Sequence, residues 1–312
     1  MKLLEERVRL GRTDLMVSPI CFGCWQMGQT YWGRVPEGDL RSSVTRAIEL
    51  GVNFFDTADA YGNGTAEEIL GRALEGQDRE SLIIATKVYH HWHDDAPRHP
   101  DLSHDYIKEE CMRSLDRLGL DYLDLYQAHA FDVLTHPRET MEAFQELKDE
   151  GLIRYFGCSN FNAEQLRTAL RFGRMDSTQP RYNLLQRDPE LDLFPLCLAE
   201  EVGVLTYSSL AMGLLTGKFT GSESFDDVRS ENPLFQGEDF KRNAGRVGKL
   251  KAIAGELDVS VTQLVLRTTV THPAVTSAIV GIKRPAQIED AAGIQDIRLS
   301  RQEYYRVRDL LG

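Results

Sequence analysis

Short apolar runs alternate with amphipathic stretches along almost the whole chain, and that alternation leaves few folds open. "SPICFG" reads as a strand and "DLRSSVTRAIELG" as a helix that stops at Gly51. "VNFFD" is followed by "TAEEILGRALEG", and "SLIIATK" by "SHDYIKEECMRSLDRLG". "YLDLYQAH" and "LIRYFGCSN" are strands around the helix "RETMEAFQELKDEG". "NAEQLRTALRFG" is a helix, "MDSTQP" a weak strand, "VGVLTYSS" a better one, and "VTSAIVGIK" the last. Strands that alternate with helices pair in parallel through right-handed crossovers. Eight such units in 312 residues point to a closed (β/α)8 barrel, an α/β fold, rather than an open sheet. No break in composition divides the chain, so residues 1–312 read as one domain.

Two segments stand outside the repeat. "EERVRLGRTDLMV", residues 5–17, has the pattern of a hairpin with a glycine-containing turn, placed to plug one end of the barrel. Residues 213–240 form a long Gly-, Ser- and Asp-rich connection after the seventh strand. A loop of that length inside a compact domain is usually a lid or a binding loop.

Charge narrows the partners. A formal net charge of -12 argues against a nucleic-acid surface and against a polybasic membrane anchor, while leaving room for a local basic pocket. The N-terminal stretch "MKLLEERVRLGRTD" carries charges throughout and lacks the apolar region of a signal peptide. No run of about eighteen apolar residues exists, so no transmembrane helix is expected, and the cytoplasm is the expected compartment. Five cysteines at irregular spacing read as reduced thiols. Cys21 and Cys24 make a CxxC, but with no second pair and on an apolar strand end, so neither a zinc nor a redox site is read there.

Chemistry in such a barrel sits where the strands end. The second strand closes on Asp56, with Tyr61 in the loop beyond; the third closes on Lys87 and the fourth on His129. The fifth gives Ser159 and Asn160, the sixth Gln179, the seventh Tyr207. A barrel with no catalytic task has no use for this many polar groups at its strand ends, since burying charge without a partner is costly. Together they describe carbonyl reduction. A tyrosine titrates near 10, too high for ready proton transfer. An ammonium at Lys87 lowers it by favouring the phenolate, Asp56 holds the lysine charged and aimed, and His129 positions a carbonyl oxygen against the Tyr61 hydroxyl. No GxGxxG follows the first strand, so a Rossmann dinucleotide site is not read.

At this point the chain resembles the aldo-keto reductases over almost its full length, on the branch related to potassium-channel β-subunits. The resemblance rests on "NFFDTADAYGNGTAEEILGRAL", "IIATK", "SLDRLGLDYLDLYQAH", "IRYFGCSN", "TQPRYNLLQR", "YSSLAMGLLTGK" and "VGIKRPAQIED", in order and at the family's spacing. It implies that Asp56, Tyr61, Lys87 and His129 are the catalytic four, with Tyr61 as general acid. It implies that Ser159, Asn160 and Gln179 hold the nicotinamide carboxamide, while Tyr207 stacks on the ring. Ser208, Leu210, Gly213, Leu215 and Lys218 fall on the loop around the pyrophosphate, and Gly23, Cys24 and Trp25 on the first-strand end beside the nicotinamide ribose. Gly281, Lys283 and Gln287 fall where the family grips an adenosine 2'-phosphate, and Arg284 adds a second cation, so NADPH is the expected cofactor. The chain departs from the family pattern at Cys24 (commonly threonine), at Ser209 and Val280 (commonly proline), and at Asp290 and Ala291 in the adenine site.

The loop "YHHWHDDAPRHPDLSHD" holds five histidines without a fixed spacing. It is read as a wall of the substrate pocket, with Trp92 and Trp32 as apolar surfaces, and not as a metal centre. The expected activity is NADPH-dependent reduction of a small aldehyde or ketone; the alternative is a nucleotide-sensing regulatory subunit with little turnover.

Overall fold

A computed structural model describes residues 3–93 and 97–312. The chain opens with a short antiparallel hairpin, β1 (Val8–Arg9) and β2 (Met16–Val17). The strands β3 (Ile20–Gly23), β4 (Phe54–Asp56) and β5 (Ile83–Val88) follow. A second antiparallel hairpin, β6 (His90–His91) and β7 (His99–Pro100), comes directly after β5. The remaining strands are β8 (Leu123–Ala128), β9 (Ile153–Ser159), β10 (Ser177–Gln179), β11 (Gly203–Thr206) and β12 (Val275–Gly281). The helices are α1 (Glu37–Glu49), α2 (Thr65–Leu74), α3 (His104–Leu118), α4 (Pro137–Asp149), α5 (Ala163–Leu170) and α6 (Leu193–Glu200). Then come α7 (Gly237–Glu256), α8 (Val261–Thr271), α9 (Pro285–Ala292) and α10 (Arg301–Leu311).

Eight strands, β3, β4, β5 and β8 to β12, pair in parallel in chain order, and β12 pairs with β3 to close the barrel. The expected (β/α)8 barrel with its N-terminal plug is the fold. The period of two along each strand divides the side chains into two sets. Cys21, Phe54, Ile83, Ala85, Leu125, Leu205 and Ile279 pack together in the lumen. Ile20, Phe22, Phe55, Ile84, Val88 and Tyr126 belong to the outer layer under the helices. Leu10, Leu15 and Val17 of the first hairpin join the luminal cluster, so the hairpin stops the barrel with apolar side chains. Its turn needs Gly11: φ is +54°, and a Cβ there would sit 2.7 Å from the Glu201 carbonyl oxygen.

Two elements differ from the expectation. The histidine loop carries the β6–β7 hairpin, with His91 paired opposite His99. The long connection ends earlier than residue 240: α7 begins at Gly237, and short 3-10 turns occupy Ala211–Thr216 and Pro233–Phe235. Phe219, Phe225 and Phe235 pack edge to face with one another, and Phe240 meets Phe219 and Phe225 in the same way, giving this segment a small apolar core of its own. No helix among the described residues is long and apolar enough to cross a membrane.

Candidate active site

The alternation that fills the lumen also sets what lies above it. Counting two residues on from Phe54 reaches Asp56, from Ala85 Lys87, from Leu125 Gln127 and then His129, and from Leu205 Tyr207. The polar groups therefore top the same inward rows whose lower positions are apolar. Lys87, fully buried, donates to Asp56 Oδ2 at 2.7 Å, to the Thr57 carbonyl at 2.7 Å and to the Tyr61 hydroxyl at 3.3 Å. The second carboxylate oxygen, Asp56 Oδ1, accepts from Gln179 Nε2 at 2.8 Å and from Gln127 Nε2 at 3.5 Å. The Tyr61 and His129 rings meet edge to face, 5.7 Å apart.

The electrostatics correct one expectation. Burial pushes the Tyr61 phenol up to about 12; Lys87 pulls it down but does not outweigh the loss of solvent. The phenol is therefore a protonated group and not a near-neutral one. Burial opposes the Lys87 ammonium, yet Asp56 and Tyr61 more than offset it, and its pKa rises. His129 is held well below the ordinary histidine range, first by burial and then by Lys87, so its imidazole is neutral. Its Nδ1 has no hydrogen-bond partner among the described residues.

Ser159, Asn160 and Tyr207 stand beside this group. Ser159 Oγ donates to the Gln179 carbonyl at 3.0 Å, and Asn160 Nδ2 to the His129 carbonyl at 2.8 Å. The Tyr207 hydroxyl donates to Asn160 Oδ1 at 2.8 Å. Beyond Tyr207 the backbone enters the left-handed region at Ser208, Ala211, Met212 and Gly213. Gly213 has φ +90°, and a Cβ there would lie 3.3 Å from Lys218 Nζ, so its bareness lets the ammonium approach the loop. Leu215 is buried in the apolar core behind that loop, and Leu210 is partly buried between it and the main core.

Across the barrel seam, Gly23 pairs with Gly281. Cys24 is buried and its backbone N–H donates to the Asp56 carbonyl at 2.9 Å. The Trp25 ring lies 6.4 Å from Tyr61 and 5.4 Å from Trp32. Lys283 Nζ donates to the Trp32 carbonyl at 2.9 Å and sits over its ring. Trp32 thus stands at the Lys283 side of the cleft, linked to Tyr61 through Trp25. Gln287 Oε1 accepts from the backbone N–H groups of Lys283 and Arg284, capping α9, while Arg284 reaches solvent. Trp92 packs against His93 and Arg117, over a buried network in which Arg117 pairs with Glu67 and Glu110.

Three residues that the sequence did not single out, Arg229, Gln127 and Gln26, join the picture, with His90 of the histidine loop. Arg229, from the long connection, lies over the Trp32 and Phe225 rings, and its charge acts on both Lys218 and Lys283. An arginine in an otherwise Gly-, Ser- and Asp-rich loop was its only signal. Gln127 was visible as a lone amide in the apolar run "LDLYQA". The His90 ring is 6.3 Å from His129, and burial lowers its pKa to about 4. Gln26 Oε1 is buried without a partner among the described residues, in the space that a side chain at position 281 would fill.

A barrel with these groups at its mouth belongs to a class of oxidoreductases, and comparison names the class. Residues 19–311 match the model of the aldo/keto reductase family, and the chain belongs to that family. It is 35% identical to the aldo-keto reductase YhdN of Bacillus subtilis, covering 98% of this chain and 93% of that protein. It is 34% identical to a probable voltage-gated potassium channel subunit beta of Arabidopsis thaliana, over 92% and 90% of the two chains. It is 30% identical to an NADH-specific methylglyoxal reductase of Escherichia coli, over 98% of each. A solved glycerol dehydrogenase of Gluconobacter oxydans superposes with a TM-score of 0.90 at 31% identity, over 98% of this chain and 95% of that one. The chain is thus an oxidoreductase of carbonyl compounds, of a family that works with a nicotinamide cofactor.

Proposed function

We propose that this protein reduces an aldehyde or ketone to the alcohol with NADPH, and that Tyr61 supplies the proton. The observation that carries the reading is the contact of a buried ammonium, Lys87, with both Asp56 and the hydroxyl of a protonated Tyr61. When bound, the dinucleotide supplies the hydride to the carbonyl carbon. The residues do the rest. Tyr61 Oη gives its proton to the carbonyl oxygen as negative charge develops there, and the adjacent Lys87 stabilises the phenolate left behind. Asp56, held by Gln179 and Gln127, keeps Lys87 in place. A neutral His129 donates from its ring N–H to the same carbonyl oxygen, orienting it without competing for the proton.

The cleft fits a phosphorylated dinucleotide. The left-handed turn at Ser208–Gly213 leads to Lys218, and Lys218, Arg229 and Lys283 are close enough for Arg229 to depress the proton affinity of both lysines. Both lysines are lowered, first by burial and then by Arg229, and Asp227, paired with Arg229, offsets this only in part. The orphan acceptor Gln26 Oε1 beside Gly281 suits a hydroxyl donor such as a ribose. These cations favour the 2'-phosphate of NADPH over NADH. The NADH-specific relative means that family membership does not decide the matter, which is why the cation cluster is the argument.

The test is NADPH oxidation with a reactive aromatic aldehyde, with NADH alongside. Tyr61→Phe is expected to lower turnover by about 10²–10⁴-fold while leaving the NADPH dissociation constant nearly unchanged. More than about a tenth of wild-type turnover would remove Tyr61 from the role of acid. The likeness to a channel β-subunit favours a nucleotide-sensing reading as second choice, and tight NADPH binding with no turnover across many aldehydes would select it.

A further inference from the structure

The histidine hairpin carries an arrangement that the carbonyl chemistry does not use. His91 and His99 face each other across β6 and β7, and Asp101 follows two residues after His99, just past the end of β7. The ladder is continued by the Asp101 N–H, which donates to the Tyr89 carbonyl at 2.7 Å. Three potential ligand atoms, one from each of His91, His99 and Asp101, lie within 4.8 Å of one another. No simple spacing in the sequence shows this, because the register of a hairpin brings the groups together.

We propose that His91, His99 and Asp101 form a binding site for one divalent transition-metal ion, Zn²⁺ in the first instance. Two imidazoles and a carboxylate, with a fourth position left for water, are a usual donor set for zinc. The geometry is close to what is needed. His91 Nδ1 and Asp101 Oδ2 are 3.4 Å apart, near the spacing of about 3.3 Å between tetrahedral ligands at zinc. His99 must close roughly 1.5 Å to join them; it is the exposed member, and its ring stacks on that of His91 with centroids 4.9 Å apart. Its Nδ1 hydrogen-bonds the Pro97 carbonyl at 3.0 Å, which puts the hydrogen on Nδ1 and the lone pair on Nε2. A second ring nitrogen fixed by a backbone carbonyl is the usual outer support of a metal-bound histidine. Asp101 has its other oxygen, Oδ1, occupied by the Ser103 N–H at 2.9 Å, leaving Oδ2 for the ion.

The site touches the mouth of the barrel. The Tyr106 ring stacks on His91 at 4.5 Å, and its hydroxyl donates to the His90 carbonyl at 2.7 Å. His90 is the hairpin residue whose ring approaches His129. An ion at His91, His99 and Asp101 therefore clasps the segment that carries His90, and does so whatever the carbonyl substrate or cofactor proves to be.

The experiment is calorimetric titration of the full-length, tag-free protein with zinc chloride after chelator treatment, with thermal unfolding measured with and without the metal. Wild type is expected to bind one equivalent with a dissociation constant in the micromolar range or tighter, and to melt higher with zinc. His99→Ala and Asp101→Asn are each expected to weaken binding at least tenfold and to lose the rise in melting temperature. Both are expected to melt like wild type without metal, since neither change enters the core. Absence of saturable one-to-one binding in wild type overturns the proposal. So does binding that His99→Ala leaves at wild-type affinity, which would place the ion elsewhere.

Discussion

At the scale of single residues, the candidate site sets three titratable groups so that none changes state in the ordinary working range. Tyr61 is raised to about 12, Lys87 is raised from 10.5, and His129 is depressed from 6.5. The profile of kcat/KM for reduction is therefore expected to be flat from pH 6.5 to pH 10 as far as these groups decide it. Measurement of kcat/KM for the carbonyl substrate across this range, at saturating cofactor, checks this, and a pH-dependent fall centred near neutrality that survives His90→Ala would contradict it. The same shift bears on stability, with a definite sign. A phenol whose folded pKa lies above its unfolded value of 10 stabilises the folded state below pH 10, and that contribution is lost as pH rises from 10 towards 12. These positions were legible in the sequence because each is a polar residue that closes an apolar run. The direction of the Tyr61 shift was not, because it depends on how much water the assembled barrel removes, and no spacing encodes that.

At the scale of elements, the long connection after β11 decides more than its composition implied. It folds over its own cluster of phenylalanines and brings Arg229 near its own Lys218 and near Lys283 of the loop after β12. Asp227 holds the guanidinium in a two-point contact, with Nε to Oδ1 at 2.8 Å. Arg229→Ala is expected to weaken NADPH binding by roughly tenfold and NADH by less than about twofold, the size expected for losing a charged hydrogen bond to phosphate. Fluorescence titration with each dinucleotide checks it; equal losses for both would mean that Arg229 serves the loop's fold and not the 2'-phosphate. The start of α7 inside this segment escaped the sequence reading for a physical reason. Its N-cap, Gln236, makes no side-chain capping bond, and its first residue is a glycine. By contrast α5 and α8 begin with full capping boxes at Asn162 and Ser260. The β6–β7 hairpin escaped for a similar reason. It is held by ring stacking on Tyr106 and by the Tyr89–Asp101 bond, with no short turn signature to announce it.

At the scale of the whole molecule, the barrel is a stack with an apolar floor and a polar top. Leu10 is fully buried in the luminal cluster, against Gly203, where a Cβ would come within 2.3 Å of it. Leu10→Ala is expected to cost about 2–5 kcal/mol in a denaturant titration, with carbonyl turnover per folded molecule almost unchanged. A large loss of turnover at unchanged stability would show that the plug reaches the mouth. The eightfold alternation was legible because each crossover must bury one stripe of a helix and both faces of a strand, which writes a repeating pattern into the chain. The count of eight units also pointed to closure; the bonds that make the seam appear in three dimensions, where Ser277 Oγ donates to the Ser18 carbonyl and Ala278 N–H to that of Pro19.

That seam has a consequence for how the protein is made. β3 is the first barrel strand to leave the ribosome and β12 the last, so one edge of β3 waits for a partner through the synthesis of Ile20 to Val275. At about 5–20 residues per second the wait is on the order of tens of seconds. Throughout it, Ile20 and Phe22 lack the neighbours that bury them in the finished barrel. Expression yield of this chain is accordingly tied to what shields a nascent strand edge, and slowing translation after β3 lengthens the exposure rather than helping the fold.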